Sequence, residues 1–135
     1  MDKSPSANEI QIGGDHYKGR NDNDIQHWDI MSKNNVGYLE GNLTKYLRHR
    51  KKNGLQDVLK MMHYLDKILE CIDTFGYRPM GMVPYSTIEL FISQQGYNEH
   101  EGHIMYQMCR WVRREQVESC RPHIQALIDE YSTAK

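Results

Sequence analysis

The run from Glu40 to Gly54 constrains this chain most, because two different patterns share one predicted helix. Apolar residues spaced three or four positions apart fall on a single helical face. That face comprises Leu39, Leu43, Tyr46 and Leu47. The opposite face comprises Lys45, Arg48, His49 and Lys52. The run therefore predicts a helix that packs into a core on one side and presents cations on the other.

Positive charge is concentrated between Lys45 and Lys52, which hold five Lys or Arg residues, one His and no acid. The whole chain has a formal net charge of only −1, so this cluster is a local surface. Charge blocks of this kind favour a binding site for an anion. The alternative is a solvated basic face, because cations near the C-terminal end of a helix also complement its dipole.

Residues outside the cluster extend the predicted phosphate-binding surface. Gly41 would let a ligand approach the backbone, and Asn42 offers an amide on the same side of the helix. Upstream, the Gly13-Gly14 turn presents His16 and Tyr17, which can contact a phosphate or stack on a base. A tight turn with Tyr17 packed on the core is the alternative interpretation.

Helical periodicity predicts an all-α fold, a small bundle of two packed helical hairpins with an N-terminal Gly-Gly-x-His-Tyr loop. We expect a mobile tail over residues 1–9, a phosphate-binding helical region over 10–73, a Gly- and Pro-containing linker over 74–85, and a C-terminal helical region over 86–135. The length of 135 residues predicts that these parts form a single domain.

Local signals predict where individual helices begin and end. Asn53-Gly54 should end the central helix, because both residues tolerate a positive φ. Two capping boxes are predicted, one from Ser86 to Glu89 and one from Asn98 to Glu101. Pro122 predicts either the first turn of the last helix or a kink in it.

Composition excludes several functional classes. No apolar run is long enough to span a membrane and no signal-peptide pattern is present, so we expect a cytoplasmic location. The three cysteines, Cys71, Cys109 and Cys120, are odd in number and widely spaced, which fits a reducing compartment. Loop motifs typical of ATPases, dinucleotide-binding enzymes and hydrolases are missing from the sequence.

A zinc site is a weaker possibility, suggested by His100-x-x-His103, Cys109 and Cys120-x-x-His123. These spacings match no common zinc finger, so surface histidines and buried thiols are the favoured interpretation, and no metal site is predicted. Phosphate chemistry performed by cations remains, because phosphoryl transfer requires mainly alignment and charge neutralisation. Lys45 and Arg48 can supply the charge, with His49 or His16 as the proton carrier.

Several short motifs occur in a fixed order along the first half of the chain. They are Gly13-Gly14-x-His16-Tyr17, Gly41-Asn42-x-x-Lys45-Tyr46, Arg48-His49-Arg50, Lys52-Asn53-Gly54, Asp57-x-x-Lys60 and His63-Tyr64-Leu65. Over about residues 11 to 70, this order resembles a phage protein family of mostly unknown function that includes the small nucleotide kinases of T-odd coliphages. The first arginine follows the Lys-Tyr pair one residue earlier than in the family pattern. Which of Arg48, His49 and Arg50 faces a ligand is therefore left open.

The resemblance implies a protein of the host cell cytoplasm that binds nucleotide phosphates and phosphorylates deoxynucleoside monophosphates, with a nucleoside triphosphate as donor and Mg²⁺ as a candidate cofactor. The expected catalytic residues are Lys45, Arg48 and His49. The expected nucleotide-binding residues are His16, Tyr17, Asn42, Lys45, Arg48, Arg50 and Lys52. A non-catalytic protein that sequesters a nucleotide against a host pathway, and a binder of single-stranded nucleic acid, are the alternatives.

Self-association is also expected. The chain carries more Met, Tyr and Trp than a small bundle would bury. The residues that suggest a subunit contact are Met61, Met62, Tyr64, Met80 and Met82.

Overall fold

The computed structural model describes the backbone of residues 25–133, and the side chains of residues 25–47 and 54–131. Over this range the chain contains seven helices and no strand. The helices are α1 (His27–Lys33), α2 (Tyr38–Asn53), α3 (Leu55–Phe75), α4 (Tyr85–Gln95), α5 (Glu99–Arg110), α6 (Arg114–Glu118) and α7 (Cys120–Thr133). The predicted all-α bundle is confirmed, whereas the predicted tail and the Gly13-Gly14 loop lie outside the described residues.

Two helical hairpins form the bundle. In the first, α2 turns into α3 at Gly54, whose φ of 57° lies in the region that glycine adopts without strain. In the second, α5 pairs with α7, and α6 lies in the connection between them. Because α3 packs on α7 and α2 packs on α5, the four longer helices surround one core.

The core confirms the predicted apolar face of α2. Leu43 and Leu47 are completely buried, while Leu39 and Tyr46 pack against the core from partly buried positions. Opposite them lie Val58, Met61, Leu65 and Ile68 of α3 and Ile124 and Leu127 of α7, all with no exposed surface. Met61 is thus a core residue, and its expected role in a subunit contact is wrong.

The helix ends agree with some of the local signals. Asn98 and Glu101 form the predicted capping box, with each side chain accepting a hydrogen bond from the other's backbone N–H. The capping box predicted at Ser86 is wrong, because α4 begins one residue earlier and Ser86 lies inside its first turn. Pro122 occupies the first turn of α7, which decides between the two predicted alternatives.

The remaining elements attach to this frame at specific points. On α1, Ile30 is buried, while Trp28 is 40% exposed. The segment between α3 and α4 is fixed to α5 by Val83. Its backbone N–H donates to the Cys109 carbonyl, and its carbonyl oxygen accepts from the Arg110 guanidinium. The short helix α6 was not predicted.

Candidate functional site

The predicted cationic surface is described in part. Asn42 and Lys45 belong to the described side chains of α2. Arg48, His49, Arg50 and Lys52 lie on the backbone of the same helix, but their side chains are outside the described residues. His16 and Tyr17 are outside the described residues altogether. The geometry of the candidate site is therefore given by Lys45 and by what surrounds it.

A groove of about 520 Å³ runs between the last turns of α2 and the first turns of α3. It is lined by Tyr46, Gln56, Leu59, Lys60, His63 and Tyr64. The α3 residues among them recur every three or four positions and so share one helical face. Two phenol rings and a leucine give the groove an apolar surface, and a lysine and a histidine stand within it.

Two ammonium groups from different helices converge on Tyr46. The Nζ atom of Lys45 lies 5.1 Å from the centre of the Tyr46 ring, and that of Lys60 lies 5.4 Å from the same centre. Both distances are within the range of a cation–π interaction. Two cations that are fifteen positions apart in the sequence thus lie near the same ring, which lines the groove.

Lys60 is also held by a buried acid on its own helix. Its Nζ lies 3.8 Å from Oδ1 of Asp57, a residue with no exposed surface. This contact restrains the Lys60 ammonium near α3, while 47% of the side chain remains exposed to solvent. Asp57 was interpreted from sequence as a residue of the first turn, and it does lie there.

The second ring of the groove belongs to Tyr64. Its centre lies 6.3 Å from that of Tyr46, and the two ring planes are inclined by 25°. Aromatic side chains in an open groove offer a flat surface on which a nucleobase can stack. Leu59, which is 50% exposed, adjoins both rings.

The N-terminal half of α2 does not face this groove. A Cβ atom placed on Gly41 would lie 3.4 Å from Sδ of Met31, so the close approach at Gly41 is made by α1 and not by a ligand. The Asn42 amide donates to the Tyr38 carbonyl one turn earlier. The Asn42 side chain is thus engaged within its own helix, one turn before Lys45.

His27 of α1 contacts the back of the site. Its Nε2 lies 2.8 Å from Oγ1 of Thr44. The Thr44 hydroxyl donates to the Glu40 carbonyl at 3.0 Å, so it accepts from His27, and the imidazole proton resides on Nε2. Burial, and secondarily the neighbouring Lys45 ammonium, lowers the pKa of His27 to about 4. A neutral imidazole thus lies behind Lys45 and adds no positive charge.

Sequence reasoning missed most of the groove. Lys60 and His63 were recognisable as a polar stripe of α3, but nothing local indicated that this stripe would meet Lys45. Tyr46 was assigned to the core, and it is partly buried there with one side lining the groove. The missing information was the register of α2 against α3, which depends on the geometry of the hairpin.

Two further findings concern metal ions and membranes. In the part of the chain that the structure describes, no three His, Cys, Asp or Glu side chains are arranged to hold a metal ion. None of the described helices combines the length and apolarity needed to cross a bilayer.

Comparisons with known proteins give no relative: no protein-family model, no curated protein and no solved structure matches the chain.

Proposed function

We propose that this protein binds a nucleotide in the groove between α2 and α3, with its phosphate between Lys45 and Lys60. The observation that carries the proposal is the convergence of these two ammonium groups on Tyr46. Both ammonium groups lie beside one ring, so a phosphate bound next to Tyr46 would have two cations with which to pair. The base would lie on Tyr64 and Leu59, which form the apolar part of the groove.

The cations that continue along α2 support the same assignment. Arg48, Arg50 and Lys52 follow Lys45 on the helix that forms one wall of the groove. A second or third phosphate could extend along them, since Arg and Lys pair readily with phosphate oxygens. In this proposal His16 and Tyr17, which lie outside the described residues, also contact the nucleotide, as the resemblance implies.

Phosphoryl transfer is the further step of the proposal. The γ-phosphoryl group of a nucleoside triphosphate would pass to a phosphate oxygen of a deoxynucleoside monophosphate, which yields two diphosphates. Lys45 and Arg48 would neutralise the transferred group and His49 would carry the proton, while Mg²⁺, if bound with the donor, would supply additional charge neutralisation. This reaction, membership of the phage family and action in the host cytoplasm all rest on the motif order in residues 11 to 70.

Binding is tested by calorimetry with a deoxynucleoside monophosphate and with a nucleoside triphosphate. Lys45→Ala and Lys60→Ala should each weaken binding by about tenfold, because each removes a charge-assisted contact. Lys67→Ala is the matched control: Lys67 lies on the same helix, pairs with Glu70 and is outside the groove. Equal effects at Lys60 and Lys67 would reject the groove as the site.

Turnover is tested separately, by incubating the monophosphate with a triphosphate and Mg²⁺ and measuring diphosphate. Product that disappears in the Lys45→Ala variant supports the kinase. Tight binding with unchanged ligand supports the sequestering protein instead. Affinity that falls steeply with salt and does not saturate with a mononucleotide supports a binder of single-stranded nucleic acid.

Self-association remains a prediction. Met80 and Met82, in the segment between α3 and α4, are 90% and 44% exposed, which is unusual for large apolar side chains. Sedimentation equilibrium over a wide concentration range measures the mass of the particle. A monomer mass at every concentration would contradict self-association.

A further inference from the structure

Three histidines form one contiguous cluster at the seam between α5 and α7. Nδ1 of His100 lies 2.9 Å from Nδ1 of His123, and their ring centres are 5.1 Å apart. The His103 ring stacks on the opposite side of His123, with ring centres 4.1 Å apart and planes inclined by 24°. We call these three residues the histidine seam.

Hydrogen bonding fixes how many protons the seam can hold while closed. Two N–H groups cannot face each other at 2.9 Å, so only one of the His100 and His123 Nδ1 atoms carries a proton. The Ser119 hydroxyl donates to the Gln116 carbonyl at 2.6 Å. It therefore accepts from Nε2 of His103, which is 2.9 Å away.

These directions exclude other uses of the same residues. Ser119 is not activated as a nucleophile, because His103 donates to it and cannot take its proton. Cys109 and Cys120 are both buried, and burial raises the pKa of each thiol, that of Cys120 to about 12. Neither cysteine is a thiolate that could complete a metal site with the histidines.

The surroundings of the seam include charges of both signs. On α5, Oε1 of Glu99 lies 4.0 Å from Nε2 of His100. Arg113, between α5 and α6, and Glu115, on α6, line a groove of about 520 Å³ together with His103. Burial and the neighbouring imidazole lower the pKa of both His103 and His123. The closed seam therefore favours the neutral form of the His103 and His123 rings.

The two sides of the seam are anchored to different halves of the bundle. Arg121 at the start of α7 bonds Asp66 of α3 and Glu118 of α6, at 2.8 Å each. On the other side, Trp111 at the end of α5 donates to Glu40 of α2. Separation at the seam would thus leave α7 on α3 and α5 on α2.

One buried group already lacks a partner at this seam. Oε1 of Gln107, on α5 beside His103, is buried and accepts no hydrogen bond from the described residues. Such an acceptor costs free energy in the closed state, and water would satisfy it in an open one.

We propose that the histidine seam is an acid-operated latch. While its rings share protons, the seam holds α5 against α7. When His100 and His123 are both protonated, α5 and α7 separate. Two imidazolium rings would then face each other with N–H groups opposed, beside a third ring stacked at 4.1 Å. Release widens the groove at Gln107 and Ser119 and leaves the α2–α3 hairpin closed. The proposal is independent of nucleotide binding.

Amide hydrogen exchange tests the latch, measured from about pH 7.5 to about pH 5 with a chelator present and corrected for the intrinsic effect of pH. Exchange in α5 and α7 should accelerate more than exchange in α3, because the lowered pKa values of His103 and His123 mean that added protons favour the open state. Exchange in α3 should accelerate less, and only by the global destabilisation that protonation of His27 causes.

Two variants and a control decide the cause. His123→Phe keeps an aromatic ring at this position but takes no proton, so its α5 and α7 exchange should respond to pH little more than its α3 exchange does. His103→Gln, which keeps a donor for Ser119, should reduce the response in part. His63→Gln changes an exposed histidine of α3 and should respond as the wild type does.

Three results would overturn the latch. The first is wild-type exchange that stays flat, and the second is a response beyond that of α3 that persists in His123→Phe. The third is acceleration that is equal in α3, α5 and α7, because this indicates global unfolding. Addition of zinc at neutral pH should give no protection of α5 and α7, and protection abolished by His123→Phe would identify a metal site in place of a latch.

Discussion

The indole Nε1 of Trp111 donates a 2.8 Å hydrogen bond to Oε2 of Glu40, a carboxylate with no exposed surface, across 71 positions of the chain. The other oxygen, Oε1, accepts from the Tyr77 hydroxyl at 2.6 Å. One buried acid on α2 thus ties down both the end of α5 and the segment that follows α3. A buried carboxylate is tolerated only where such donors replace water, so these bonds fix how the two hairpins meet.

Tyr77→Phe should lower the free energy of unfolding by about 1–3 kcal/mol, the usual cost of removing one donor from a buried charged acceptor. Urea denaturation measures the change. Tyr85→Phe is the matched control, because Tyr85 is 58% exposed and its loss of a hydroxyl should cost little. Equal changes in the two variants would show that the Glu40 contact contributes nothing measurable.

Gly37→Ala should destabilise the protein, whereas Gly102→Ala should not. A Cβ atom on Gly37 would overlap both the Tyr77 hydroxyl and Oε1 of Glu40, which are locked together by their hydrogen bond. A Cβ atom on Gly102 would meet only the Ile92 Cγ2 atom, at 3.4 Å, an ordinary contact. Since alanine is the better helix former, Gly102→Ala should be neutral or stabilising by up to about 1 kcal/mol. Thermal unfolding of both variants checks the contrast.

His27 should make the fold sensitive to acid. Its pKa of about 4 in the folded protein is below the unfolded value of 6.5, so the unfolded chain binds the proton more readily between these values. The stabilisation is complete above about pH 6.5 and is lost as the pH falls toward about 4, with an upper bound of about 3 kcal/mol.

His27→Gln separates this contribution from that of the histidine seam. Glutamine can still donate to Thr44, but it does not titrate, so the variant should lose less stability than the wild type over the same pH range. Urea denaturation at several pH values gives the difference directly. If the free energy of unfolding depends on pH in the same way in both proteins, protonation of His27 does not destabilise the folded state.

Patterns that act within one helix could be predicted from the sequence. The apolar face of α2 follows from residues three and four positions apart, and Leu43 and Leu47 are buried as expected. The Asn98–Glu101 capping box is equally local, because both partners belong to the same turn. The predicted Ser86 capping box was an equally local prediction, and it is wrong. Because α4 begins at Tyr85, Ser86 lies inside the helix and cannot be its N-cap.

Relationships between helices could not be predicted in this way. Lys60 joins Lys45 only because α3 folds back along α2 in one particular register, and no spacing in the sequence encodes that register. The histidines of the seam were visible as motifs, but His100 and His123 meet through the packing of α5 on α7. Distances within an element are set by backbone geometry, whereas distances between elements are set by the whole core.

The contribution of the groove to nucleotide affinity can be divided between its contacts to the base and its contacts to the phosphate. Tyr64→Ala should weaken binding of a deoxynucleoside monophosphate by about tenfold, because stacking on an aromatic side chain contributes about 1–3 kcal/mol per base. Tyr64→Phe keeps the ring and should bind within about twofold of the wild type. Calorimetry with deoxyribose 5-phosphate, which lacks a base, provides the comparison: Tyr64→Ala should leave its binding unchanged, while Lys45→Ala should weaken both ligands. If Tyr64→Ala weakens the two ligands equally, the base does not lie on Tyr64, and the proposed orientation of the nucleotide in the groove is wrong.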